Sequence, residues 1–289
     1  MFPKGRMKRR DFFRYSVATA GVLAFPSGPG FLYGGRKRKC AHDIVTLGGT
    51  GIRASRLAMG TGTHGMGRQS NQTRQLGVRG LADLLHSAFD EGINFWDSAD
   101  QYGTHPHLRE ALKGISRDKV VILTKTHAST AREMKSDLDR FRREIGTDYL
   151  DVVLLHMMVD SDWPSRRAGA MEVLERARGE GTVRAHGVSC HTIRALETAA
   201  NSNWVQVDLA RINPAAVSMD ADVPRVVKVL ERMHRSGKAV LGMKILGAGR
   251  LSNRVDECLD YVLGLDCVDA FTIGQESAVE MKDLVRRIS

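Results

Sequence analysis

Paired cysteines are missing from this sequence. The chain has four cysteines, Cys40, Cys190, Cys258 and Cys267, and no two of them form a C-x-x-C pair. This spacing argues against a zinc knuckle, a redox dithiol or a disulfide framework. It also provides no cluster of ligands for an iron–sulfur centre. We therefore expect free, mostly buried thiols and no resident metal.

The larger part of the chain also lacks an excess of charge of one sign. The formal net charge is +10, but ten basic residues and one acidic residue lie within residues 1–40, which places +9 there. The rest of the chain is close to neutral. Because nucleic-acid binding needs a basic face on the folded domain, we predict no nucleic-acid partner.

The basic leading segment has the layout of a targeting sequence. Lys8-Arg9-Arg10-Asp11-Phe12-Phe13 precedes the apolar run 15–25, and Pro26 and Pro29 follow that run. Adjacent arginines before a short apolar stretch resemble a twin-arginine export signal. We predict a signal segment over residues 1–33, a charged linker over 34–42 and one folded domain over 43–289. A disordered basic tail is the alternative.

The signal predicts an exported protein, periplasmic or membrane-associated, and a cytoplasmic one if it does not function. No small-x-small cleavage site follows the apolar run, so cleavage and retention as an anchor both stay open. The prolines and glycines between residues 15 and 35 make a poor membrane-spanning helix. We expect contact with a membrane only through this segment, and only if it is not cleaved.

The remaining chain alternates short apolar runs with segments of helical periodicity. Eight such strand–helix units follow residue 56, and their number and total length are typical of a single (β/α)8 barrel. Continuous apolar strands indicate a parallel sheet that is covered on both faces. Residues 44–47 and 52–55 flank Gly48-Gly49-Thr50-Gly51 and predict a hairpin that closes the bottom of the barrel. The fold class is therefore α/β, a TIM barrel.

Polar and ionisable residues recur where these strands end. They are Thr61, Thr63, Asp97, Tyr102, Lys125, His156, Ser189, His191, Asp208, Lys244, Gly274 and Gln275. In a (β/α)8 barrel the carboxyl ends of the strands meet at one face, and chemistry takes place there. We therefore expect these residues to surround one active site.

Four of these residues form a proton-transfer set. Asp97, Tyr102, Lys125 and His156 end the second, third and fourth strands of the barrel. A lysine beside a tyrosine favours the phenolate, so we expect a lowered pKa for Tyr102. Asp97 would keep Lys125 charged, and a neutral His156 could hold a carbonyl oxygen. General acid–base catalysis of this kind contributes roughly 10²–10⁴ in rate.

Three longer stretches around these residues resemble the aldo-keto reductase family. They are residues 94–103 (Asn-Phe-Trp-Asp-Ser-Ala-Asp-Gln-Tyr-Gly), 123–125 (Leu-Thr-Lys) and 146–156 (Gly-Thr-Asp-Tyr-Leu-Asp-Val-Val-Leu-Leu-His). The opening Leu-Gly-Gly-Thr-Gly-Ile of residues 47–52 also fits. The resemblance implies reduction of aldehydes and ketones with NADP or NAD as cofactor. It makes Tyr102 the proton donor, Asp97 and Lys125 its tuning pair, and His156 the residue that orients the carbonyl.

The same resemblance implies a set of cofactor-binding residues. Ser189 and Gln206 match positions that contact the nicotinamide. The other matching positions are Gly62 and Thr63 after the first strand, Gly247, Gly249 and Leu251 after the seventh, and Gly274 and Gln275 at the eighth. Glu280 replaces an arginine that the family often uses for the 2′-phosphate, which leaves the choice between NADPH and NADH open. The long C-terminal loop of many members is absent, so a partner could complete the substrate pocket.

Two other functions fit parts of the pattern. A nicotinamide-nucleotide sensor or subunit with little turnover would use the same scaffold. A metal-dependent hydrolase would use a set such as His105, His107, Lys125, His156, His191 and Asp208 around its metal. Lys244 fits either a phosphate-binding role or a structural ion pair. The sequence identifies neither the particular small-molecule carbonyl substrate nor the oligomeric state.

Overall fold

A computed structural model of the chain describes residues 38–289. The twin-arginine-like segment over 1–33 and the first part of the linker lie outside the described residues. The strands are β1 Ile44–Thr46, β2 Arg53–Ser55, β3 Leu57–Gly60, β4 Phe95–Asp97, β5 Val121–Thr126, β6 Leu150–Met158, β7 Val183–Cys190, β8 Val207–Arg211, β9 Ala239–Met243 and β10 Ala270–Gly274. The helices are α1 Asn71–Asp90, α2 His105–Leu112, α3 Ala131–Ile145, α4 Trp163–Arg166, α5 Ala168–Gly179, α6 Ile193–Asn201, α7 Val223–Arg235, α8 Val255–Gly264 and α9 Ala278–Arg287.

The strands β3 to β10 form a closed parallel barrel. Each pairs with its neighbour in chain order, and β10 pairs with both β9 and β3. Alternate side chains of the strands fill the interior, and the opposite side chains pack against the helices. The predicted (β/α)8 barrel is confirmed.

The hairpin at the start of the described region is confirmed as well. β1 pairs antiparallel with β2, and a short 3-10 turn at Gly48–Thr50 joins them. Leu47 and Ile52 are fully buried and belong to the cluster that fills the barrel interior. Gly49 N donates to Gly237 O at 2.7 Å, just before β9 begins. The hairpin therefore closes the amino-terminal end of the barrel.

Local sequence signals explain where the helices begin and end. In α3, Thr130 and Glu133 form a capping box, and Gly146 ends the helix with a φ of 76°. Its buried residues Met134, Leu138 and Phe141 recur at helical spacing and face the barrel.

Two boundaries differ from the sequence-based expectation. The apolar residues at helical spacing over 81–89 predict a helix there, but α1 already begins at Asn71, because Ser70 caps it ahead of a break at Gly77. The apolar run over 204–212 predicts a strand, but β8 begins only at Val207. Within residues 38–289, no helix is long and apolar enough to span a membrane.

Candidate active site

The site is built around a buried ion pair at the carboxyl ends of β4 and β5. Lys125 is 1% exposed, and its Nζ donates to Asp97 Oδ1 and, at 2.8 Å, to Ser98 O. Burial alone would lower the pKa of Lys125, but Asp97 and Tyr102 raise it above its ordinary value. The lysine therefore stays charged, and its ammonium group is held in one position.

Tyr102 lies against this pair, in the short turn that follows β4. Lys125 Nζ is 4.9 Å from the centroid of the Tyr102 ring. A β-carbon added to Gly62 or to Gly65 would lie 2.2 Å from a ring atom of this tyrosine. Two glycines thus leave the space that the ring occupies, and they fix its plane beside Lys125.

The expected lowering of the Tyr102 pKa is wrong for the protein without ligand. Burial raises the pKa of Tyr102 above 10.0; Lys125 opposes this shift, and Asp97 adds to it. The net direction is upward because the low dielectric around the ring penalises the phenolate more than one paired lysine stabilises it. Tyr102 is therefore protonated at neutral pH, which is the state that a proton donor requires.

His156 completes the predicted set near the end of β6. Its ring is 4% exposed and lies 5.8 Å from the Tyr102 ring in an edge-to-face arrangement. Burial, and then the positive charge of Lys125, lower the pKa of His156 far below 6.5. The imidazole is therefore neutral and can donate a hydrogen bond without bringing a second charge to the site.

A second histidine lies on the outer side of His156 and was not recognised in the sequence. The rings of His127 and His156 stack with centroids 4.8 Å apart, and His127 Nε2 lies 2.6 Å from Gln101 Oε1. His127 follows Lys125 by two residues and comes directly after the end of β5, so the alternation of the strand favours the same face for both. That spacing was the signal that could have identified it.

An elongated cleft of about 340 Å³ opens beside Asp97 and Tyr102. Its walls come from the ends of β3, β8, β9 and β10 and from the loops that follow β3 and β9. The lining residues include four of the predicted cofactor positions, Gly62, Thr63, Gly249 and Gly274, together with His64, Leu209, Met243, Lys244, Thr272 and Glu276. The cleft leads away from the catalytic set along one side of the barrel.

Four other predicted cofactor positions are buried and do not line the cleft. Ser189 is buried, and its hydroxyl accepts a hydrogen bond from Met157 N at 2.9 Å. Leu251 is 5% exposed, and Gly247 packs so closely on Val217 that a β-carbon would lie 2.7 Å from it. Gln275 is 2% exposed, and neither polar atom of its side chain has a hydrogen-bond partner among the described residues.

Gln206 and Asp208 do not lie where the sequence interpretation placed them. Gln206 precedes β8 and its Oε1 accepts from His186 N, so it lies near the amino end of that strand. Leu209, three residues later, lines the cleft in its place. Asp208 points to the outside of the barrel, where the Cys190 thiol donates to Asp208 Oδ2 at 3.4 Å. Val207 and Leu209 face the barrel interior, so the alternation of side chains along β8 directs Asp208 outward.

Besides Asp97, the acidic residue that lines the cleft is Glu276, and Glu280 has another role. Glu280 Oε2 accepts from Glu276 N at 2.8 Å, and Glu280 N donates to Ser277 Oγ, so Glu280 belongs to the cap of α9. Glu276 Oε1 accepts from Asn71 Nδ2 at 2.8 Å, and this carboxylate faces the cleft.

Within residues 38–289, the residues proposed as hydrolase ligands do not form one metal-binding group. His105 is buried between Thr124 Oγ1 at 2.8 Å and Glu144 Oε2 at 2.9 Å. Asp100, His105 and Glu144 place one ligand atom each within 4.8 Å of one another, but Arg140 donates to both acidic residues. This group is an ion-pair network that fixes the turn carrying Tyr102, and Asp208 lies on the outside of the barrel.

Fold and site together define a (β/α)8 protein in which Asp97, Lys125, Tyr102 and His156 lie together at the mouth of the barrel. A model of the aldo/keto reductase family matches residues 56–269. This chain therefore belongs to the aldo/keto reductase family.

Individual relatives agree with this assignment. The chain is 23% identical to a D-threo-aldose 1-dehydrogenase from Pseudomonas sp over 69% of each protein. It is 27% identical to a 6-dehydroglucose reductase from Novosphingobium aromaticivorans over 72% of this chain and 70% of the relative. Several other curated relatives are matched over less than half of their own length.

A solved structure shows the same fold. An aldo-keto reductase from Klebsiella pneumoniae, in complex with NADPH, superposes with a TM-score of 0.64 at 20% identity, covering 85% of this chain and 89% of that one.

The cleft has the features that a nicotinamide dinucleotide requires. Glycines line it closely, since a β-carbon on Gly274 would lie 2.3 Å from Thr63 Oγ1. The buried Thr272 Oγ1 in its wall has no hydrogen-bond partner among the described residues. An unpartnered hydroxyl and a positive charge on Lys244 suit a ligand that carries hydroxyl and phosphate groups. The residues present therefore fit the cofactor of the family.

Proposed function

We propose that the protein reduces small aldehydes or ketones to alcohols with NAD(P)H, and that Tyr102 is the general acid. The observation that carries this proposal is the contact set of Tyr102. Its ring lies 4.9 Å from the Lys125 ammonium and 5.8 Å from the His156 ring, at the end of the glycine-lined cleft. A protonated phenol, a fixed cation and a neutral imidazole around one point suit a carbonyl oxygen.

The protein's own residues supply the proton and stabilise the developing charge. In the proposed reaction, His156 donates a hydrogen bond to the carbonyl oxygen and thereby orients the substrate. Tyr102 transfers its phenolic proton to that oxygen as negative charge develops there. Lys125 then stabilises the phenolate, and Asp97 keeps Lys125 in place. When bound, the reduced nicotinamide supplies the hydride that is added to the carbonyl carbon.

Residues of the cleft would hold the cofactor. Gly62, Thr63, Gly249 and Gly274 line it, and Leu209 and Met243 form an apolar part of its wall. The Glu276 carboxylate faces the same cleft. A negative charge repels a 2′-phosphate and accepts hydrogen bonds from a free ribose, so we expect NADH to bind more tightly than NADPH.

Tyr102→Phe tests the proposal. We expect carbonyl reduction by the full chain to fall by at least about 10²-fold, because the proton donor is lost while the ring still fills its glycine-lined space. Turnover of a panel of small aldehydes, with each nucleotide, is the measurement. Fluorescence titration should show that the variant still binds the nucleotide.

Tyr261→Phe, on α8, is the matched control and should leave turnover unchanged. Full activity in Tyr102→Phe would contradict the assigned role of the phenol. Tight nucleotide binding by the natural protein with no turnover on the panel would instead support the alternative function, a nucleotide sensor or subunit.

A further inference from the structure

The turn that carries Tyr102 has little local structure to hold it in place. It is a three-residue 3-10 turn, Asp100–Tyr102, and Ala99, which precedes it, provides no side-chain cap. Its backbone hydrogen bonds run from Tyr102 N to Ala99 O at 3.0 Å and from Gly103 N to Asp100 O at 3.1 Å. A turn this short has poor hydrogen-bond geometry. The position of the phenol therefore depends on the contacts that other elements make with the turn.

Arg140, on α3, binds the first residue of this turn through both of its terminal nitrogens. Its Nη1 donates to Asp100 Oδ1 at 2.7 Å, and its Nη2 donates to Asp100 Oδ2 at 3.0 Å. A bidentate pair of this kind fixes the orientation of the carboxylate as well as its distance. Asp100 lies two residues before Tyr102, so a shift of this carboxylate would move the phenol.

Arg140 is itself held in place on α3. Its Nη2 also donates to Asp137 Oδ1 at 2.7 Å, and its Nη1 donates to Glu144 Oε1 at 3.3 Å. Its guanidinium carbon is 4.9 Å from the centroid of the Phe141 ring, and Phe141 is fully buried. The helix packs against the barrel through that buried face. Arg140 therefore transfers the fixed position of α3 to the turn.

Two other contacts join the turn to the loop that follows β3. Arg68 Nη1 is 3.7 Å from Asp100 Oδ1, and the Arg68 side chain is 50% exposed. Gln101 Nε2 donates to Gly65 O at 3.1 Å. A half-exposed cation at this distance contributes little, and a neutral hydrogen bond is about half as strong as a charged one. Arg140 therefore provides a stronger link than either, and it ties the turn to a helix.

We propose that Arg140 is a positioning residue for the reduction, which acts through Asp100 to hold the Tyr102 phenol beside Lys125. The inference rests on the proposed reductase function and extends it to a side chain in the outer layer of helices. Proton transfer depends steeply on geometry, and a shift of about 1 Å can cost about 10²-fold in rate. Because Arg140 does not line the cleft, kcat should depend on it, whereas KM and nucleotide binding should not.

Arg140→Met tests this role. In the full-length protein we expect kcat for a small aldehyde to fall by about 10- to 100-fold, because the phenol is no longer held in one position. KM for the aldehyde and the affinity for NADH should each change by less than about threefold. Arg142→Met is the matched control. Arg142 lies on the same helix and pairs with Asp139 at 2.7 Å, so its loss should leave kcat unchanged.

A double-mutant cycle tests whether Arg140 acts through Asp100. Asp100→Asn should also lower kcat, and the double variant Asp100→Asn, Arg140→Met should lose no more than Arg140→Met alone, because both changes break one contact. Arg140→Lys keeps the charge but loses the bidentate geometry, so its kcat should lie between those of the natural protein and Arg140→Met. Losses that multiply in the double variant, equal losses in Arg140→Met and Arg142→Met, or an unchanged kcat in Arg140→Met would overturn the inference. Loss of turnover in Tyr102→Phe would leave the reductase function intact in each case.

A spectroscopic measurement gives the same answer without turnover. The chain has five tyrosines, so labelling with 3-fluorotyrosine gives a simple fluorine NMR spectrum, in which Tyr102→Phe identifies the Tyr102 resonance. We expect this resonance to broaden or split in Arg140→Met, because the ring occupies more than one position, and to stay unchanged in Arg142→Met. An unchanged resonance in Arg140→Met would contradict the inference. If no aldehyde is reduced but the resonance still responds, the reductase function fails and the positioning of Tyr102 by Arg140 stands.

Discussion

The two sides of the barrel differ in how their buried charged groups and side-chain oxygens are paired. On the side formed by β4, β5 and β6, buried charges have close partners. Lys125 binds Asp97, and the fully buried Asp151 accepts from Arg117 and from Arg184, each at 2.6 Å. Lys125 and Asp97, which we propose to be catalytic, are therefore held in position before any ligand binds.

The side formed by β8, β9, β10 and their following loops contains the unpartnered oxygens. Among residues 38–289, the buried side-chain oxygens without a hydrogen-bond partner are those of Asp208, Asp220, Thr272 and Gln275. The same side also has strained backbone. Of the described non-glycine residues with positive φ, Ala216, Ser218, Lys244 and Ala248 lie here.

This difference in pairing suits two different functions, catalysis on the first side and ligand binding on the second. A preorganised acid–base set works best when its groups do not have to reorient during the reaction. A ligand-binding wall can keep unsatisfied groups, each of which costs about 1–3 kcal/mol, because a ligand can satisfy some of them. We infer that the first side sets the chemistry and that the second side gains most of its stability when a ligand binds.

Lys125→Met should have the largest effect, because it breaks the best-paired group of the first side. We expect turnover to fall by about 10²–10⁴-fold through loss of the cation beside Tyr102. The free energy of unfolding should fall by about 3–5 kcal/mol, because Asp97 is left buried without a partner. Aldehyde turnover and urea unfolding measure the two effects.

The double variant Asp97→Asn, Lys125→Met is the matched comparison. It removes both charges, so we expect part of the stability to return while activity remains lost. An unchanged unfolding free energy in Lys125→Met would show that the Lys125–Asp97 pair does not stabilise the first side. The two sides would then not differ in how pairing contributes to stability.

The sequence indicates the first side well and the second side poorly. The fold follows from alternating apolar runs and helical stripes, and Asp97, Lys125 and His156 are recognisable because each directly ends an apolar run. These are local patterns. The role of the glycines beside Tyr102 is recognisable only from the pairing of β3 with β4, because this pairing places Gly62 against the ring.

The incorrect predictions, for Gln206 and for the pKa of Tyr102, arise from features of strand position and burial that the sequence does not show. Gln206 precedes β8 and so lies at the opposite end of the strand from the mouth, and Leu209 lines the cleft instead. The pKa of Tyr102 rises because burial outweighs Lys125, and burial depends on the packed tertiary structure.

Asp208→Asn tests whether the buried, unpartnered carboxyl group of the second side makes stability depend on pH. Burial raises the pKa of Asp208 to about 8; the hydrogen bond from Cys190 opposes this shift, and Asp220 adds to it. Because the folded-state pKa lies above the unfolded value of about 3.9, the stability that Asp208 contributes is full below that value. It is lost as the pH rises through about 8. Asparagine does not titrate, so the variant should become more stable than the natural protein by a few kcal/mol towards pH 9.

Urea unfolding between pH 5 and pH 9 measures this change. Asp256→Asn, at a highly exposed position on α8, is the control and should shift stability by little at any pH. A difference between Asp208→Asn and the natural protein that does not grow with pH would show that Asp208 is ionised in the fold. The unpartnered oxygen would then have to be satisfied by bound water.

Ala248→Gly should have the smallest effect, and it tests backbone strain on the second side. Ala248 lines the cleft with a φ of 58° and a ψ of 40°. Glycine removes a backbone strain of about 1–2 kcal/mol. It also makes the unfolded chain more flexible, which raises the entropic cost of folding by up to about 1 kcal/mol, so stability should be unchanged or slightly higher. Ala278→Gly, at an exposed position in α9, has no strain to release and should lower stability slightly. A loss in Ala248→Gly larger than that in Ala278→Gly would show that the left-handed backbone is not strained, and the unpartnered oxygens alone would then distinguish the second side.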